Sequence, residues 1–95
     1  MKPYEINLEY LKQYLRIDDN ESDDLLLLIL SSAKAYVKSV TGQDENYLDF
    51  KEDISIAILS LCCDLYENRE YSVKNENVNR IVNTILNMHK INNVG

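Results

Sequence analysis

A chain of 95 residues with 16 acidic against 10 basic side chains, a net charge of −6, is poorly suited to gripping a phosphate backbone, which takes clustered Lys and Arg to displace counterions. Its 45% apolar and 27% charged fractions are those of a soluble domain with one modest core, and two glycines with one proline leave too few tight turns for a β-sandwich. The longest apolar run, Leu25 to Leu30, is too short to cross a bilayer and no leader pattern precedes it, so the chain is expected to stay in the cytoplasm of the cell that makes it.

Asn7 can cap a first helix over about residues 8–16, with Leu8, Leu11 and Leu15 on one face and Tyr10 and Tyr14 widening it. The helix should stop where Ile17 leads into Asp18-Asp19-Asn20-Glu21, whose side chains compete for backbone hydrogen bonds. Asn20 or Ser22 can cap the second helix, over about 22–41, and Asp23 and Asp24 in its first turn suit the helix dipole. Leu26, Ile29, Leu30, Ala33, Val37 and Val40 form its broad apolar face, and Gly42 stands where a left-handed terminating residue is wanted. Leu25, Leu28 and Tyr36 spill beyond that face.

Residues 43–51 read as a polar connection from which Tyr47, Leu48 and Phe50 tuck against the core. Lys51 or Glu52 opens a third helix running to about 69, with Ile54, Ala57, Ile58, Leu61 and Leu65 on its core stripe. Ile56, Leu59, Cys62, Cys63 and Tyr66 load its other faces, as in a central or interface helix. The two neighbouring cysteines diverge by about 100° on a helix and favour reduced, mostly buried thiols. Asn75 or Asn77 can cap a fourth helix over about 77–90, whose apolar side is marked by Val78, Ile81, Val82, Ile85 and Leu86, followed by a frayed tail at 91–95. The expected fold is all-α: a single four-helix domain over 1–95, with a short first helix, two long central helices and a C-terminal helix.

Templates for chemistry fail one after another. Asp18, Asn20 and Ser22 alternate like calcium ligands, but Asp23 and Ile29 stand where the loop needs Gly and a bidentate Glu. His89 is the sole histidine and reads as a surface residue near a helix end. No nucleophile elbow or phosphate-cradling glycine loop is present, so no catalytic residue, metal or cofactor is expected. Arg69, at the end of the third helix, is a candidate to hold Asp18 and Asp19 through its planar fork; the alternative is a solvated arginine. Seven tyrosines against one phenylalanine suit an interface or the border of a core.

Three phrases occur in order: Tyr14-Leu-Arg-Ile-Asp18 at the end of the short helix, Thr41-Gly42 closing the long one, and Leu65-Tyr-Glu-Asn-Arg69 finishing the third. In these the chain resembles the tailed-phage head-tail connector proteins, also called head-completion or adaptor proteins, over roughly residues 6 to 72; the Asn-rich C-terminal part departs from their pattern. The resemblance implies a structural subunit that forms a ring with copies of itself beneath the portal protein, passes DNA through its channel without specific binding, and meets a head-tail stopper protein. It would assemble in the host cytoplasm and end in the virion at the head-tail junction, and Asp44, Glu45, Asp49 and Glu52 are candidates to face the channel. The second and third helices carry more apolar surface than one small core can cover, and Leu25, Leu28, Tyr36, Ile56, Leu59 and Tyr66 are the candidate oligomer contacts. The rival readings are a small helical regulatory or antitoxin-like module and a bundle-type subunit of an enzyme active elsewhere. A recognition helix opening Asp23-Asp24 and four leucines, however, is ill matched to a DNA groove.

Overall fold

Asn7 does cap the first helix: its Oδ1 accepts the Tyr10 N–H at 2.8 Å, satisfying a donor that the first helical turn leaves free. In the computed structural model, which describes residues 1–67 and 76–91, the chain forms α1 (Leu8–Leu15), α2 (Asp23–Thr41), a one-turn α3 (Glu45–Leu48), α4 (Glu52–Glu67) and α5 (Glu76–His89), preceded by a 3-10 turn at Pro3–Glu5. No strand occurs among the described residues. None of their helices is long and apolar enough to cross a membrane. The four expected helices are present, and the connection after α2 contains α3, which Asp44 caps by accepting the Tyr47 N–H at 2.8 Å.

Arg16 ends α1 in the left-handed region, at φ 61° and ψ 44°. Its N–H reaches the Gln13 carbonyl at 3.2 Å and that of Ile17 reaches Lys12 at 2.8 Å, the paired closure of a Schellman motif. Lys12 then orders the acidic turn. Its Nζ donates to Asn20 Oδ1 and Asp23 Oδ1, each at 2.7 Å, so one ammonium ties α1 to the start of α2. Asp19 Oδ1 accepts the Glu21 N–H at 3.1 Å, and Ser22 begins α2 without a side-chain cap. The Arg69 end of the expected ion pair with Asp18 and Asp19 lies outside the described residues, as do Asn75, the side chains of Asn77 and Val78, and Tyr71.

α4 is the centre. α2 and α5 pack along it, and α1 and the 3-10 turn lean on it from the N-terminal side. Ile54, Ala57, Ile58 and Cys62 of α4 are buried together with Leu26, Ile29, Leu30, Ala33 and Val37 of α2, as their spacing predicts. From α5, Val82, Ile85 and Leu86 join them. Three expected core residues are exposed instead: Phe50, Leu65 and Ile81. Ile81 sits about 90° around the helix from the line Val82–Ile85–Leu86, too far to reach the core. Leu65 shares the core face of α4 but stands at its end, and Phe50 follows α3, where the buried anchor is Leu48.

The N-terminal residues, for which the sequence predicts no element, bury Pro3 and Ile6. Lys34 Nζ donates to the Ile6 carbonyl at 3.3 Å, and Ser55 Oγ to that of Met1 at 2.9 Å. The far end of α5 is latched as well. His89, expected at the surface, keeps only 11% of its side chain exposed; its Nε2 lies 2.6 Å from Asp53 Oδ2 and its Nδ1 3.0 Å from the Tyr47 hydroxyl. A carboxylate only accepts, so Nε2–H donates to Asp53, and in the neutral ring the Tyr47 hydroxyl donates to Nδ1. Gln43 Nε2 donates to the His89 carbonyl at 2.9 Å and the Ile91 N–H to that of Thr41 at 2.8 Å. Ile91, expected to fray, is thereby held against Gly42, the left-handed terminator of α2 at φ 73°. Residues 92–95 lie outside the described residues.

Cys62 and Cys63 are both free thiols. Burial pushes Cys62 up to about 12, and burial together with the Glu67 carboxylate raises Cys63. Burial raises Tyr14 too, with Cys63 close by.

Two outcomes follow from this packing. His89→Ala removes a half-buried pairing and should cost about 1–3 kcal/mol, a fall of several degrees in the thermal midpoint of a domain this size, measured by calorimetry; an unchanged midpoint contradicts the latch. Because the Cys62 thiol titrates higher in the folded chain than its ordinary 9.0, the unfolded chain ionises first, and stability present below pH 9 is lost as pH rises toward 12. Denaturant titrations across that window should show a shallower decline for Cys62→Ala than for the natural chain.

Candidate assembly surfaces

Among the described residues, no serine or cysteine nucleophile, base and orienting partner are brought together. The cavity of about 350 Å³ between α2, α3 and the N-terminal turn is walled by Pro3, Val37, Leu48, Ile54 and Ile58 under Lys34 and Lys38, with neither a histidine nor a cysteine in its lining. Among the described residues no group of three His, Cys, Asp or Glu side chains could hold a metal. What the fold does offer is exposed apolar surface, in places that helical periodicity can explain.

The solvent side of α2 carries Leu27, Leu28, Ser31, Ser32, Ala35 and Tyr36, all exposed. Leu28 is 64% exposed and Tyr36 46%. No charged residue falls between Asp24 and Lys34, or between Lys34 and Lys38. Lys34, the one charge inside this span, turns its ammonium inward to the Ile6 carbonyl. The outward strip is therefore uncharged over about 20 Å of helix at 1.5 Å per residue. Small side chains beside a projecting leucine allow another surface to come close, and depletion of charge is what marks the centre of a protein interface.

A second surface lies on α4. Ile56 is 55% exposed and borders a shallow hollow of about 370 Å³ formed with Met1, Tyr10, Glu52, Asp53, Ser55 and Leu59. Leu59 is 7% exposed, so it forms the floor of the hollow and belongs to the core rather than to an outer contact. Of the other candidate contacts, Leu28, Tyr36 and Ile56 are exposed, while Leu25 and Tyr66 are half-buried against the core. Leu27 was missed, although its place one residue before Leu28 puts it on the same outer side. α2 and α4 pack core face to core face, which turns their solvent sides away from each other.

The acidic candidates do different things. Asp44 caps α3, Glu45 approaches Lys38 at 3.9 Å on the open surface, Asp49 is half-buried beside the cavity and Glu52 is exposed at the rim of the hollow. Asp18 is exposed, in a groove with Glu9, Gln13 and Arg16.

Comparison with known proteins places this helical arrangement. The fold is similar to the crystal structure of bacteriophage HK97 gp6, with a TM-score of 0.75 at 20% sequence identity over 90% of this chain and 93% of that one. No curated protein matches the sequence. Residues 5–93 match the family model described as phage gp6-like head-tail connector protein, and the chain belongs to that family.

Proposed function

We propose that this protein is a ring-forming structural subunit of a phage or prophage, seated beneath the portal protein of a filled head, where it lengthens the DNA channel and receives the head-tail stopper protein on its other side. The observation that carries this reading is the uncharged outer strip of α2 around Leu28 and Tyr36. Such depletion of charge around a projecting leucine is the character of an interface centre. The Ile56 hollow on α4 supplies a second, different patch turned another way, which is the requirement for identical subunits meeting head to tail around a closed rotation.

Charge fits the same role. A channel wall should let DNA slide, and a chain of net charge −6 repels phosphates within a Debye length of about 8–10 Å at cellular salt. Subunits whose pairwise contact is weak gain strength once several sit on the portal together, because each added contact becomes intramolecular. Assembly in the host cytoplasm and residence at the head-tail junction of the virion complete the reading.

Native mass spectrometry and sedimentation over a concentration series, with and without a portal ring, test it. A discrete multimer is expected at high concentration or on the portal. Leu28→Asp should abolish it while shifting monomer stability by no more than about 0.5 kcal/mol, as for other exposed positions. A chain that stays monomeric throughout, portal included, removes the proposal. In gel-shift measurements at physiological salt the protein should leave duplex DNA unretarded, and tight retention would contradict a passive channel.

A further inference from the structure

Against the acidic character of the chain, one exposed cluster is aromatic and basic. Tyr4 and Phe50 stack at 5.6 Å with a tilt of 55°, and both are more than half exposed. Lys2 Nζ sits 5.5 Å from the Phe50 ring centroid, and next to Phe50 the Lys51 Nζ sits 4.7 Å from that of Tyr47. Among the described residues the ion pairs engage Lys12, Lys38 and His89, so these two ammoniums rest on ring faces and retain their capacity for a carboxylate. Cation–π contact also holds the rings in place, which lowers the ordering cost of covering them.

The same chain carries the complement. Residues 18–24 hold five carboxylates, of which Asp23 is engaged by Lys12. Glu21 and Asp24 are exposed. Asp24 and Leu28 stand four residues apart and so project side by side from α2, with Leu27 beside them. One face therefore offers carboxylates next to bare leucines, and the other offers ammoniums next to bare aromatic rings. The acidic face opens α2, whereas Pro3, Leu48 and Asp49, chain neighbours of the cluster, share a cavity wall with Lys34 and Lys38 in the C-terminal half of α2, so the two faces lie toward opposite ends of that helix.

We propose that the aromatic-lysine cluster of Lys2, Tyr4, Phe50 and Lys51 is the socket for the acidic start of α2 of a neighbouring copy, with Leu27 and Leu28 on the rings and Glu21 and Asp24 against the ammoniums. The proposal rests on the ring reading above and assigns Leu27 and Leu28 to this socket rather than to the Ile56 hollow. Each copy carries one socket and one plug, so the contact is head to tail and the same on every subunit. Charge complementarity selects the register and the leucines exclude water at the centre.

The test uses the full chain in three charge variants, each checked for an unchanged helical spectrum and thermal midpoint. Lys2→Glu with Lys51→Glu, and separately Glu21→Lys with Asp24→Lys, should each raise the concentration needed for assembly by about tenfold or more. All four substitutions in one chain should bring it back toward the natural value. Phe50→Ser should weaken assembly without reversing any charge, and added salt should weaken the natural assembly while sparing the folded monomer. Assembly of the Lys2→Glu, Lys51→Glu variant equal to that of the natural chain overturns the pairing while leaving the ring intact. Failure of the fourfold variant to recover also overturns the pairing. A natural chain that never assembles sinks the ring and the pairing together. Retention of single-stranded oligonucleotide by the natural chain, lost on Lys2→Glu with Lys51→Glu, assigns the cluster to nucleic acid and overturns the proposal.

Discussion

The need to cover α4 governs this molecule. Its buried residues Ile54, Ser55, Ala57, Ile58, Leu59 and Cys62 spread around more than half of the helix circumference, at 100° per residue. One neighbour cannot shield such an arc. α2, α5, α1 and the N-terminal turn each take a share, and the polar contacts serve to hold these elements in place: Lys12 for α1 and α2, Ser55 for the N-terminal turn, and His89 for α5. The core supplies the driving force and the side-chain pairs choose its arrangement.

Much of this arrangement is legible in the amino-acid order wherever the cause is local. The Asn7 cap, the Gly42 terminator and the stripe from Leu26 to Val37 depend on neighbours within a turn or two, and periodicity finds them. Failures cluster where a distant element decides. Ile81 and Leu65 are apolar at plausible spacing, yet their burial depends on whether a neighbour reaches them. His89 was legible in retrospect, because it lies seven residues after Val82 and four after Ile85 and so continues the buried face of α5. A polar ring on an apolar stripe becomes intelligible only once Asp53 and Tyr47 are known to meet it.

The outer surfaces were half legible for a similar reason. The amino-acid order shows excess apolar residues on α2 and α4, but it does not say which of them the fold itself consumes. Leu59 was consumed by the floor of the hollow, while Leu27 was left in the open. The cluster around Tyr4 and Phe50 was invisible, since its members come from two segments with no shared period and are brought together only by the buried anchors Pro3, Ile6 and Leu48. Family membership and the outer strip of α2 thus converge on assembly from independent grounds, one from sequence matching and the other from surface chemistry.

The anchoring of Met1 has a practical corollary. Its carbonyl is tied to Ser55 and its side chain lines the hollow beside Ile56, so any extension fused ahead of it, such as an affinity tag, emerges directly onto that patch. A cleavable or internal label leaves that hollow uncovered.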